Sequence, residues 1–123
     1  MVTRSLIAVV DDDESVRESL PDLLREFGFD AEVFGAAEEF LASESLERTH
    51  CLVLDIAMPG MSGPELQQEL SRQQRSIPIV FITANADENL RPRLLAAGAV
   101  ECLIKPFTES ALLDALKTAL RAA

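Results

Sequence analysis

Acidic side chains follow two apolar runs of the sequence. Asp11, Asp12 and Asp13 come directly after one run, and Asp55 comes directly after another. If the two runs are neighbouring strands, about 4.8 Å apart, then Asp11, Asp12 and Asp55 share one crevice. Like charges about 4 Å apart repel by about 4 kcal/mol at an effective dielectric of 20, so such a cluster requires a counter-cation. Because all the ligands would be oxygens, a hard cation is favoured, and Mg²⁺ is the first candidate.

Two further apolar runs end in side chains that can bind a phosphoryl group. Thr83 follows one run and Lys105 follows the other. A carboxylate such as Asp55 can attack a phosphoryl group and form an acyl phosphate if a metal and a cation neutralise the transferring oxygens. Lys105 would supply the point charge, and Thr83 a hydroxyl donor. The pattern therefore favours phosphoryl-transfer chemistry with Asp55 as the acceptor.

The elements that must position these residues alternate between strand and helix. Short apolar runs separated by amphipathic stretches are typical of a parallel sheet with both faces covered. The predicted strands span residues 6–10, 31–34, 51–54, 79–82 and 101–104. The predicted helices run from an Asp13 cap to Gly28, from Ala36 to about Leu46, from Pro64 to about Gln73, within residues 89–97, and onward from a Thr108 cap. In such α/β sheets the ligand site lies outside the carboxyl ends of the strands, where the polar residues occur.

Two prolines fall inside predicted helices. An interior proline removes a backbone hydrogen bond and bends or ends the helix. We interpret Pro21 as a tolerated bend in the first helix. Pro92 allows the same interpretation, or it indicates that the fourth helix begins late, near Arg91, and leaves residues 86–90 as a mobile loop.

Composition limits the class of protein. The chain has 123 residues, enough for one domain, and its 48% hydrophobic and 26% charged residues indicate a soluble globular fold. A net charge of -10 disfavours binding to nucleic acid or to anionic lipid surfaces by this chain. Cys51 and Cys102 lack a metal or disulfide spacing and are predicted to be buried, reduced thiols. With no signal peptide or membrane-spanning run in the sequence, we expect a cytoplasmic protein.

At these residues the sequence resembles the response-regulator receiver domain, the phosphoacceptor module of two-component signalling. The resemblance covers essentially the full length and is most similar to the FixJ-like receivers, which precede a helix-turn-helix output domain. Four motifs in order carry it: VVDDD at 9–13, LVLDIAMPGMSG at 52–63, FITA at 81–84 and GAVECLIKPF at 98–107. It implies a (βα)5 flavodoxin-like, CheY-like fold with strand order 2-1-3-4-5. Residues 1–123 are expected to be a single receiver domain, either complete or cut from a longer regulator.

The resemblance also implies a role for each site residue. Asp55 would be phosphorylated by a sensor histidine kinase or a small phosphodonor, and Thr83 and Lys105 would hold the phosphoryl oxygens. Mg²⁺ would be bound by Asp12 directly, by Asp11 through water, by Asp55, and by the carbonyl of Ala57. The chain would act as a signalling phosphoacceptor, not as an enzyme on other substrates. Phosphorylation would switch the face of the fourth helix, fifth strand and fifth helix, control an output domain or a partner regulator, and favour a homodimer.

The sequence departs from the family pattern at two places. Receivers usually carry an aromatic residue or histidine three positions before the lysine, but this chain has Cys102. A thiol is small, so we expect a quieter conformational change, or one carried by residues 86–93. Ala57 and Asn85 occupy positions that tune attack of water on the acyl phosphate in this family. Because Ala57 offers no side chain to orient water, we predict dephosphorylation over minutes or longer.

Three other functions fit parts of the pattern. A haloacid-dehalogenase-like phosphatase would share the aspartates after the first strand, but it needs a second acidic pair after the lysine and a longer chain. A flavodoxin-like protein would bind FMN at the same edge, but the acidic loop and the lack of Trp and Tyr disfavour it. A degenerate receiver, used as an interaction module without phosphorylation, stays open as an alternative.

Overall fold

The computed structural model describes residues 4–85 and 87–122. Five strands form one parallel sheet, β1 to β5: Leu6–Val10, Asp30–Phe34, Cys51–Asp55, Ile79–Thr83 and Glu101–Ile104. Five helices connect and cover them, α1 to α5: Glu14–Glu26, Ala37–Leu41, Gly63–Arg72, Leu90–Ala96 and Glu109–Ala122. The strand order is β2-β1-β3-β4-β5, which confirms the predicted fold class.

The sheet is apolar on both faces because side chains alternate between them along each strand. From β1, Ala8 and Val10 pack into a core on one face, while Ile7 and Val9 pack into a core on the other. The first core is closed by side chains of α2, α3 and α4, among them Phe40, Leu66, Leu70 and Leu94. The second is closed by side chains of α1 and α5, among them Leu20, Leu24, Leu112 and Leu116. The central strands are therefore held from both sides, and their carboxyl ends are fixed.

The second helix is shorter than predicted. We expected one helix from Ala36 to about Leu46, but α2 ends at Leu41 and a separate 3-10 turn spans Glu44–Glu47. Ser43 separates them: both its backbone N–H and its hydroxyl donate to the carbonyl of Phe40, at 3.1 and 2.8 Å. A serine side chain that bonds to nearby backbone competes with helix continuation, and here it ends the helix.

The two prolines have different positions in their helices. Pro21 is buried in the interior of α1, and the helix continues through it. Pro92 is the third residue of α4, in the first turn, where a missing N–H leaves no intrahelical acceptor unpaired. The helix begins at Leu90, one residue before the predicted start near Arg91. Within the predicted mobile loop of residues 86–90, Ala86 lies outside the described residues.

Both cysteines are buried free thiols, as predicted, on strands β3 and β5, which are separated by β4. Among the described residues, no helix is both long and apolar enough to cross a membrane.

Candidate functional site

The carboxyl ends of β1 and β3 bring the predicted aspartates together. Val10 pairs with Leu54 in the parallel register, so the next residues, Asp11 directly after β1 and Asp55 at the end of β3, lie side by side. Asp11 is fully buried, Asp55 is 7% exposed and Asp12 lies at the surface. Carboxylate oxygens of the three residues lie within 4.8 Å of one another. The three carboxylates that the sequence was expected to bring together therefore do lie together.

Lys105 reaches this acidic group from the end of β5. Its Nζ donates to Oδ2 of Asp11 at 2.9 Å and lies 4.0 Å from Oδ1 of Asp55. The backbone N–H of Lys105 donates to the carbonyl of Thr83 at 2.7 Å, which fixes the start of the side chain beside β4. The positively charged ammonium group therefore lies beside two negatively charged carboxylates, those of Asp11 and Asp55.

Thr83 ends β4 and is 4% exposed. Its strand is next to β3, with Asp55 paired with Ile82. The Thr83 hydroxyl oxygen accepts from the N–H of Asn85 at 3.0 Å, and its own proton can be donated to another acceptor. Thr83 and Asp55 thus end adjacent strands at the same edge of the sheet.

The crowded charges change the protonation equilibria of the site. Burial, together with the negative charge of Asp11, raises the pKa of Asp55 from 3.8 to about 7, although Lys105 acts in the opposite direction. Burial disfavours the charged form of Lys105, but its hydrogen bond to Asp11 and the charges of Asp11 and Asp55 leave its pKa raised overall. One ammonium group does not balance three carboxylates, so the site favours further positive charge.

Asp13 has a different role from the two aspartates before it. Its carboxylate caps α1 by accepting from the backbone N–H of Ser15 at 3.0 Å and from the Ser15 hydroxyl at 2.8 Å. These hydrogen bonds lower the pKa of Asp13. The acidic run therefore divides into two candidate metal ligands and one helix cap.

The donor set fits a hard divalent cation. Asp11, Asp12 and Asp55 offer only carboxylate oxygens, the ligands that Mg²⁺ prefers, and the raised pKa of Asp55 indicates that uncompensated negative charge is costly there. Ala57 lies exposed in the loop after β3 and could contribute only its carbonyl. The loop is anchored at the residue before Ala57, because the carbonyl of Ile56 accepts a hydrogen bond from the N–H of Gly63 at 2.9 Å.

Known proteins share both this sequence pattern and this fold. Residues 7–117 match the protein family described as "Response regulator receiver domain". The chain belongs to this family. Nodulation protein W of Bradyrhizobium diazoefficiens is 44% identical over 117 residues, which cover 95% of this chain and 52% of that protein. Transcriptional regulatory protein FixJ of the same organism is 37% identical over 123 residues, which cover all of this chain and 60% of FixJ.

A solved structure confirms the architecture of the receiver domain. The crystal structure of FixJ-N superimposes with a TM-score of 0.89 at 34% identity and covers 99% of this chain and 98% of that one. The FixJ-like subtype and the CheY-like fold are thereby confirmed. The receiver spans about half the length of the curated relatives that it matches.

Two residues important to the receiver site were not identified from the sequence as individual contributors. A Cβ on Gly63 would lie 2.3 Å from the carbonyl oxygen of Asp55 and 3.0 Å from Cε1 of Phe81, so α3 starts against the strand end that carries Asp55. Arg17 donates from Nη1 to the carbonyl of Asp11 at 3.0 Å. The contact at Gly63 depends on tertiary packing and gives no local signal. Arg17 did give a local signal, because a cation in the first turn of a helix opposes the helix dipole.

Proposed function

We propose that this receiver domain is a phosphoacceptor of two-component signalling, with Asp55 as the phosphorylated residue. The convergence of Asp55 with Asp11, Asp12, Thr83 and Lys105 at one edge of the sheet carries the proposal. The donor would be a sensor histidine kinase or a small phosphodonor.

The residues have complementary tasks in the transfer. A carboxylate oxygen of Asp55 attacks phosphorus, the bond from phosphorus to the donor's leaving group breaks, and an acyl phosphate forms on Asp55. Lys105, held beside Asp55, neutralises charge on the phosphoryl oxygens, and the Thr83 hydroxyl donates a hydrogen bond to one of them. Burial of Asp11 and Asp55 strengthens these electrostatic interactions, because the surroundings have a low dielectric.

Mg²⁺ is the proposed cofactor. Asp11, Asp12, Asp55 and the Ala57 carbonyl would hold it. When bound, it supplies positive charge that offsets the repulsion among the carboxylates and the charge of the phosphoryl oxygens. The cation would also favour the ionised form of Asp55, which is the form that can attack.

The signalling output lies beyond the chemistry of the site. Phosphorylation would alter the face formed by α4, β5 and α5 and control an output domain or a partner regulator. We propose a role in transcription for this output, since FixJ is named a transcriptional regulatory protein. This face would also support a phosphorylation-dependent homodimer. The chain would work in the cytoplasm and catalyse only its own phosphorylation and its slow dephosphorylation.

The decisive experiment is to incubate the wild-type chain and the variant Asp55→Asn with acetyl phosphate and Mg²⁺ and to measure their intact masses. We expect one phosphoryl group on the wild type and none on the variant. Omission of Mg²⁺, with EDTA present, should abolish the wild-type adduct. Equal labelling of both proteins, or labelling of neither, would contradict the proposal. The second result would favour a degenerate receiver.

A further inference from the structure

Asp11 is held by hydrogen bonds at every polar group of its backbone and side chain. Its N–H donates to the carbonyl of Phe34 at 3.1 Å, Oδ1 accepts from the N–H of Asp13 at 2.9 Å, and Oδ2 accepts from Nζ of Lys105 at 2.9 Å. The remaining group, its carbonyl oxygen, accepts from Nη1 of Arg17 at 3.0 Å. Arg17 belongs to α1 and is the one partner that comes from a helix.

The bond from Arg17 acts on the peptide unit that joins Asp11 to Asp12. That unit is planar, so holding its oxygen also holds the N–H of Asp12 and the Cα atoms of both residues. The two side chains leave from these Cα atoms. Arg17 therefore restrains the relative direction of two carboxylates that belong to the candidate metal site.

Arg17 occupies a position where a cation is locally unfavourable. It is the fourth residue of α1, and the positive end of the helix dipole lies at this end. Side chains of a helix lean toward its N-terminus, which takes the guanidinium of the partly buried Arg17 back over the end of β1. A residue that opposes its local preference indicates a requirement elsewhere, and the only hydrogen bond that the Arg17 guanidinium makes within the described residues is to the Asp11 carbonyl.

We propose that Arg17 is a positioning residue of the magnesium site. Its guanidinium fixes the peptide plane between Asp11 and Asp12 and so presents both carboxylates to the cation. Since the guanidinium bonds to the backbone, it supplies orientation without occupying a carboxylate oxygen. This inference rests on the proposed function, because it requires that Asp11 and Asp12 bind Mg²⁺.

The test compares Mg²⁺ affinity in matched arginine variants. Arg25 is the control, because it lies on the same helix and donates from Nη2 to a backbone carbonyl, that of Ala31, at 3.3 Å, away from the site. The chain contains no Trp or Tyr, so binding is followed by amide NMR shifts of residues 11–13 during titration with MgCl₂. We expect Arg17→Gln to weaken Mg²⁺ binding by about tenfold or more, as loss of an outer-shell partner does, and Arg25→Gln to leave it unchanged.

A purely structural role for Arg17 would lower the thermal midpoint in EDTA without changing the dissociation constant for Mg²⁺. An Arg17→Gln affinity within twofold of wild type, or an equal loss in Arg25→Gln, would overturn the inference while leaving the metal site itself intact. Failure of the wild type to bind Mg²⁺ would overturn the proposed function as well, which distinguishes the two failures.

A measurement on the wild type covers the case in which Arg17→Gln does not fold. The side-chain nitrogen resonances of Arg17 should shift during the Mg²⁺ titration with the same midpoint as the amide of Asp12, while those of Arg25 should not shift. Arg17 resonances that stay constant while the Asp12 amide responds would contradict the role in positioning.

Discussion

At the scale of single residues, the site depends on a glycine that has no chemistry of its own. Gly63 is buried at the first position of α3, and its N–H bonds to the carbonyl of Ile56. A Cβ there would lie 2.3 Å from the carbonyl oxygen of Asp55. The nearest atom belongs to the backbone, and the others are Cε1 of Phe81 and the Cα of Ile56, so no flexible side-chain end can move away. The close approach of α3 to the end of β3 therefore requires glycine.

We predict that Gly63→Ala destabilises the fold by about 1–3 kcal/mol, the range typical of overpacking. The matched control is Gly35→Ala, where a Cβ would meet only side-chain atoms at 3.5 Å or more, an ordinary contact, and where the change should stay within about 0.5 kcal/mol. Urea unfolding followed by circular dichroism gives both values. Equal stability of the two variants would show that the α3 contact with Asp55 is looser than described.

The Cys51 thiol makes stability depend on alkaline pH. Burial raises its pKa from 9.0 to about 12. The unfolded chain therefore ionises first, and the stabilisation from the neutral thiol, complete below pH 9, is lost as pH rises from 9 toward 12. Each pH unit in this window corresponds to about 1.4 kcal/mol.

The measurable quantity is the difference in unfolding free energy between the wild type and Cys51→Ala, which removes effects of other groups that titrate. Between pH 8 and pH 10.5 we expect this difference to fall by about 2 kcal/mol. A difference that stays constant with pH would mean that the thiol ionises as readily in the folded protein as in the unfolded chain.

At the scale of elements, the sequence predicts best what depends on local pattern. Strands β1 and β5 have the predicted bounds, and β2, β3 and β4 differ from prediction by a single residue at one end. Apolar runs that end in polar side chains are enough to place Asp11, Asp55, Thr83 and Lys105 at one edge of the sheet.

The errors occur where side chains bond to backbone in ways that periodicity does not reveal. Ser43 ends α2 through the carbonyl of Phe40, although apolar residues continue at helical spacing as far as Leu46. Similarly, the bond from Arg17 to Asp11 depends on how α1 leaves β1. Such contacts depend on the packed backbone, and a single sequence does not provide it.

The segment before α4 should open more readily than the helix itself. The N–H groups of Asp87 and Asn89 donate to exposed side-chain oxygens two residues earlier, those of Asn85 and Asp87. In contrast, the N–H of Ala97 donates to the backbone carbonyl of Arg93, next to the buried Leu94.

We predict that amides of residues 87–90 exchange with deuterium faster than those of residues 94–97, measured by NMR without phosphorylation. Pro92→Ala is the control: Pro92 lies in the first turn of α4, so restoring an N–H there should not slow residues 87–90. Equally slow exchange in both segments would contradict a late, weakly held start of α4.

At the scale of the whole molecule, the proposed function would require phosphorylation at the acidic site to alter the face formed by α4, β5 and α5. The net charge of -10 makes direct binding of this chain to DNA unfavourable, so an effect on transcription would require an output domain or a partner.

The ion pair between Arg91 and Glu101 links α4 to β5, with Nε of Arg91 2.7 Å from Oε1 of Glu101. The same Glu101 oxygen accepts from the N–H of Cys102, beside the strand that ends in Thr83.

Because Cys102 is small and buried, we predict that activation moves α4 and the segment before it more than the side chains of β5. Amide shifts on addition of Mg²⁺ and beryllofluoride, which mimics the phosphoryl group, should be largest at residues 85, 87–91 and 93 and small at 102–103. Cys102→Tyr provides the comparison, since a ring would couple β5 to the site and enlarge its shifts. A large rearrangement of β5 in the wild-type structure with the mimic bound would show that the switch does not need an aromatic residue, and the predicted route through α4 would then be wrong.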